Sequence, residues 1–112
     1  MSTLAIAFVA KHFVCDFLLQ SSYQLDNKSR YAHPGALLHA GLHGVATWMI
    51  CAMFGIPAWL AGADAVIHLQ IDWAKARLGD YLRLTSRDAG FWRLYGLDQF
   101  LHYLTYIWIA AW

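Results

Sequence analysis

The sequence predicts an all-α fold, an integral membrane four-helix bundle with up-down-up-down topology. Three observations point there. Sixty per cent of the 112 residues are hydrophobic and 13% are charged, against about 25% charged in an average soluble domain. Four apolar segments, each long enough to cross a hydrocarbon core, are separated by two polar stretches and one tight Gly-Ile-Pro break. Seven of the eight Lys and Arg residues cluster in or beside the first and third breaks. All seven acidic residues are aspartate. A soluble bundle needs a polar outer face on every helix, and these residues are too few to supply one.

The first segment, residues 3–20, is about 27 Å long as a helix. It lacks a basic leader and a small-residue cleavage site and carries Lys11, His12 and Asp16, so it reads as a mature helix and not as a signal peptide. A polar connection, 21–34, holds Asp26, Asn27, Lys28 and Arg30. The second helix is expected over 35–54. Gly55-Ile56-Pro57 is a tight break, with Pro57 suited to the first turn of the third helix, 57–78. A second polar connection, 79–93, holds Arg83, Arg87, Asp88 and Gly90, and the fourth helix is expected over 94–112. One domain, 1–112, accounts for the chain.

Connections 21–34 and 79–93 lie on the same side of such an array. The positive-inside rule makes that side cytoplasmic and turns both termini outward, a multi-pass topology in the inner (cytoplasmic) membrane. Trp108 and Trp112 then belong to the outer interface, and Tyr23, Tyr31 and Trp92 to the inner one. A net charge of +1 offers no basic field for nucleic acid. Cys15 and Cys51 sit in apolar runs without CxxC spacing and read as small buried hydrophobes. His33, before Pro34, reads as an exposed loop residue.

Polar residues inside the helices recur at one spacing: His12-x-x-x-Asp16, His39-x-x-x-His43, His68-x-x-x-Asp72 and Asp98-x-x-x-His102. An i, i+4 pair stacks two side chains on one helix face, the arrangement by which a helix chelates a metal. In the expected topology all four pairs fall in the cytoplasmic half of the bilayer. A charged aspartate there costs about 2.5–3.5 kcal/mol on insertion scales, so such residues face inward and pair. A divalent cation would neutralise the carboxylates and take the imidazole lone pairs together. Eight groups exceed the four of a structural zinc site and suit one or two ions. Mixed imidazole and carboxylate ligation fits zinc, iron or manganese. Ala40, Gly41 and Gly44 would let the second helix approach its neighbours closely. Lys75, three after Asp72, could reach the same face; it either snorkels to headgroups or holds a phosphate or carboxylate at the mouth of the site. Lys11 points away from His12 and could pair with Asp64, which stands outside the primary group.

At these residues the chain resembles a bacterial membrane family catalogued as domain of unknown function 3307. The resemblance rests on His12-x-x-x-Asp16-Phe17-x-x-Gln20, Leu38-His39-x-x-x-His43, His68-x-x-x-Asp72-x-x-Lys75 and Asp98-Gln99-x-x-His102, in that order over nearly the whole chain. In motif style alone it is also similar to inner-membrane proteins described as metal-dependent hydrolases.

The expectation is a metal-dependent hydrolase acting on an amphiphilic or lipid-linked phosphate. Asp72 or Asp98 would be the general base, and Lys75 a stabiliser of developing negative charge. The partners expected are membrane lipid, an amphiphilic substrate and a further copy of the chain. Two rivals stand: a metal- or proton-handling transport component, and a non-catalytic membrane module whose polar cluster only joins helices.

Overall fold

A computed structural model describes residues 2–112. Helix α1 (Thr3–Phe13) runs directly into a π-helical segment, Val14–Leu18. Then come the short α2 (Ser22–Asp26) and three long helices, α3 (Pro34–Phe54), α4 (Trp59–Tyr81) and α5 (Ala89–Ala110). Among the described residues there is no strand, so the all-α expectation holds. One helix among them, α3, is by length and composition alone apolar enough to cross a membrane.

The ends of these elements have identifiable causes. Ser2 Oγ accepts from Ala5 N at 3.1 Å and caps α1. Pro34 occupies the first turn of α3, where its missing N–H costs nothing. Gly55, at φ 69°, closes α3 in the left-handed conformation that glycine adopts without strain.

Several boundaries differ from expectation. The first helix changes register at Val14, where Leu19 N–H bonds to Val14 O at 2.9 Å, five residues back. The first connection is not all loop but holds α2, capped by Ser21 Oγ on Gln24 N at 3.3 Å. Pro57 and Ala58 form a tight turn ahead of α4, with carbonyls accepting from Leu60 N and Ala61 N. Helix α4 extends to Tyr81. Helix α5 begins at Ala89, well before the apolar run, because Asp88 accepts from Thr85 N at 2.8 Å and fixes the turn there. His33 is half-buried, not exposed; its Nδ1 accepts from Gly35 N at 3.1 Å at the start of α3.

The four long segments form a ring in which α1 packs on α3 and α5, and α4 on α3 and α5. Neighbours run antiparallel. Thr47 faces Asp64 and His39 faces His68 across α3 and α4, while Asp72 faces His102 across α4 and α5. Gly44 makes the α3–α4 seam tight, since a Cβ there would meet Ala65 Cβ at 3.0 Å. Gly41 faces open space and plays no such part. At the end of the ring away from the basic connections, Phe8, Ile50, Cys51, Leu60, Tyr106 and Ile109 form the apolar core. Tyr106 is buried, and its ring stacks on that of Phe8 with centres 5.3 Å apart. Both cysteines are free and buried.

Candidate metal centre

Each long segment delivers its i, i+4 pair to the middle of the ring. Asp16, His39, His43 and His68 each offer one ligand atom, and the four atoms lie within 4.8 Å of one another. His68, Asp72 and His102 satisfy the same condition, so His68 joins two adjoining groups. His43 Nε2 is 2.7 Å from Asp16 Oδ1, and His39 Nε2 is 3.2 Å from that same oxygen. His39 Nε2 is also 3.2 Å from His68 Nε2 and 3.3 Å from Asp72 Oδ2. His102 Nε2 reaches Asp72 Oδ1 at 3.2 Å. The rings of His43 and His68 stack at 3.6 Å. Ligands about 2.0–2.2 Å from a tetrahedral ion stand about 3.3 Å apart, close to the 3.2 Å edges seen here.

Asp16 lies within the π-helical segment. Such single wide turns recur at functional sites because they redirect one side chain without ending the helix.

The tautomer of His39 follows from its neighbours. Gln24 Nε2 donates to Leu19 O at 3.2 Å, which fixes the amide and leaves Gln24 Oε1 as an acceptor. His39 Nδ1–H donates to that oxygen at 3.0 Å. In the neutral ring, Nε2 then carries a lone pair aimed at two carboxylate oxygens and another imidazole. Repulsion of that kind is relieved by a cation among them, and a ligating histidine anchored through its other nitrogen is the usual supporting arrangement. His43 Nδ1 and His68 Nδ1 are buried without a hydrogen bond, and Asp72 Oδ2 and Asp98 Oδ1 are buried with ion-pair contacts alone. The donor set and its spacing fit a divalent ion.

A family model, described as protein of unknown function (DUF3307), matches residues 4–112. The chain belongs to DUF3307. No curated protein and no solved structure matches it. The match spans all four His/Asp pairs, so in this DUF3307 member the whole centre lies within the family's own stretch of chain.

Not every expected residue of this DUF3307 chain enters the convergent groups. His12 lies beside them, with Nε2 3.1 Å from Asp16 Oδ2. Both its nitrogens are engaged: Nε2–H donates to Gln99 Oε1 at 2.7 Å, and Nδ1 accepts from the Tyr106 hydroxyl at 2.7 Å. Gln99 Nε2 donates to Asp98 Oδ2 at 3.0 Å, which fixes that amide too. Asp98 stands 3.4 Å from His102 Nε2. Lys75 turns from Asp72 to Asp98, 3.8 Å away. The ammonium beside Asp72 is instead Lys28, at 3.4 Å. Lys11 does pair with Asp64, at 2.7 Å, and Thr47 Oγ1 donates to the same oxygen at 2.6 Å. Gln24, Lys28 and Tyr106 are the residues that sequence reasoning missed. Only Gln24 carried a hint, sitting four residues after Gln20 in the polar stretch that follows the first pair.

Proposed function

We propose that the protein is a four-helix integral membrane protein that binds one or two divalent transition-metal ions and uses them to hydrolyse a membrane-borne substrate. The observation that carries the metal is the anchored His39, whose Nε2 converges with Asp16, His43 and His68.

The membrane reading is supported by the inverted polarity of the ring. Phe17, Trp48, Val66 and Ile107, one on each long segment, are 55–65% exposed. His39, His43, His68 and His102 are at most 1% exposed. Water as solvent would leave an apolar girdle of this kind as an aggregation-prone surface, whereas lipid covers it. Helix α4 falls short of a membrane span by composition because of Asp64, His68, Asp72 and Lys75, yet the first three are buried inside the ring. Three carboxylates at the centre (Asp16, Asp72, Asp98) face two ammonium groups (Lys28, Lys75), leaving one negative charge for a cation to offset.

A bound divalent ion supplies a Lewis acid and lowers the pKa of a coordinated water toward about 7. Asp98, outside both convergent groups and with Oδ1 lacking a hydrogen bond, would take a proton from the attacking water. As the water oxygen bonded to phosphorus and the bond to the leaving oxygen broke, Asp98 would return the proton to that leaving oxygen. Lys75, beside Asp98, offsets charge that develops at the reacting group.

The test is metal content of the detergent-purified protein by plasma mass spectrometry, beside His39→Ala/His43→Ala. One to two equivalents in the wild type, lost in the variant, is the expected result. Absence of metal from both after supplementation with zinc, iron and manganese would overturn the proposal.

A further inference from the structure

Two cavities meet at the inner edge of the centre. The larger, about 300 Å³, lies between α4 and α5 and is apolar except where Lys75, Asp98 and Gln70 border it. The smaller, about 170 Å³, lies toward the basic connections and is bordered by Lys28, Lys75 and Asp80. Lys75 and Leu94 line both, so the two adjoin.

The chemistry along this path changes in one direction. Ile71, Leu97 and Leu101 make the α4–α5 groove apolar. Lys75 stands at its end, and Lys28 joins Lys75 and Asp80 in the adjoining smaller cavity; each lysine reaches a carboxylate of the centre. Lys28 Nζ is 3.4 Å from Asp72 Oδ2, and Lys75 Nζ is 3.8 Å from Asp98 Oδ2. These are loose contacts compared with the 2.7 Å pair of Lys11 and Asp64. A charge-assisted hydrogen bond closes to about 2.7–2.9 Å, so neither lysine is saturated by its partner. Lys75 also lies 5.0 Å from the Tyr95 ring centre, which holds its stem against α5.

We propose that this path binds an amphiphile with a phosphate monoester headgroup, its acyl chain in the α4–α5 groove and its phosphate between Lys28 and Lys75. The inference rests on the hydrolase reading and names its substrate class. An apolar chain alone would need no lysines at the groove's end. A free phosphate would need no groove. A headgroup there would touch the two lysines that reach the centre, Lys28 at Asp72 and Lys75 at Asp98, and Asp98 itself borders the groove.

The experiment is native mass spectrometry of the detergent-solubilised, metal-analysed protein with phosphatidic acid, phosphatidylcholine or inorganic phosphate. Phosphatidic acid is expected to bind on the order of tenfold more tightly than phosphatidylcholine, two lysines each adding a modest attraction. Lys28→Gln/Lys75→Gln should remove that preference with metal content unchanged, and Lys28→Arg/Lys75→Arg should keep it. Leu97→Trp should weaken phosphatidic acid without affecting inorganic phosphate. Equal binding of the two lipids by wild type, or a preference that survives Lys28→Gln/Lys75→Gln, overturns the proposal. Binding of inorganic phosphate alone, with no lipid, also overturns it. Because binding is read without turnover, either failure with metal present leaves the metal centre standing, whereas loss of the metal is a failure of the earlier reading.

Discussion

Replacing Asp64 with asparagine isolates the effect of one buried charge. Lys11 on α1 and Asp64 on α4 sit across the ring from each other. Their side chains are 3% and 1% exposed and their charged atoms 2.7 Å apart. Asparagine keeps the shape and an acceptor for Thr47, so the change mainly strands the Lys11 ammonium. Removing one partner of a buried pair costs about 3–5 kcal/mol. That shifts the folding equilibrium by roughly two to four powers of ten, out of a total stability of about 5–15 kcal/mol. Unfolding of the micelle-bound protein by SDS, followed through its six tryptophans, reads the loss. Lys11→Met/Asp64→Leu removes both charges and should recover most of it, because an apolar pair of similar volume fills the same space. Thr47 can then turn its hydroxyl to its own helix carbonyl. The reasoning is refuted if Asp64→Asn loses less than about 1 kcal/mol, or if the double variant is no more stable than the single.

Gln24→Leu frees His39 Nδ1 and should lower metal affinity about 10- to 100-fold, read by chelator competition. Asp98→Asn should keep the metal but reduce hydrolysis about 10²- to 10⁴-fold, a split measured by metal analysis beside a phosphate-release assay. Gly44→Val drives two methyl groups into Ala65 and should destabilise by about 1–3 kcal/mol. Gly41→Ala, facing open space, should be neutral or slightly stabilising, by up to about 1 kcal/mol; both are read by the same SDS unfolding midpoint.

The i, i+4 pairs were legible in the sequence because helix geometry fixes which residues share a face, whatever the tertiary arrangement. That arithmetic brought Asp16, His39, His43, His68, Asp72 and His102 into view, and the structure gathers them. Residues that reach the centre from outside the periodic runs were not legible. Gln24 arrives because α2 folds the first connection back over His39, and Lys28 because the same connection lies along Asp72. Tyr106 reads as one more lipid-facing aromatic until its hydroxyl is seen on His12. The π-helical turn at Val14 has no local signature in the apolar run that contains it. Lys75 was placed by spacing on the face of Asp72, but its long flexible side chain swings to Asp98 on α5. The start of α5 was misplaced because the onset of apolar residues was used where the Thr85–Asp88 turn decides.

The origin of the side chains in the centre has a consequence for the order of events on the ribosome. Asp16, His39 and His43 exist once the first two long segments have been made, whereas His68, Asp72 and His102 come later. Between His43 and His102, synthesis at about 5–20 residues per second takes roughly 3–12 s. A three-ligand fragment therefore precedes the complete set by seconds, on a hairpin whose Lys11 still waits for Asp64. An ion captured in that interval would be held by half a cage, open on the side where α4 and α5 have yet to arrive. On the metal-binding proposal, tight loading would follow closure of the ring by α5.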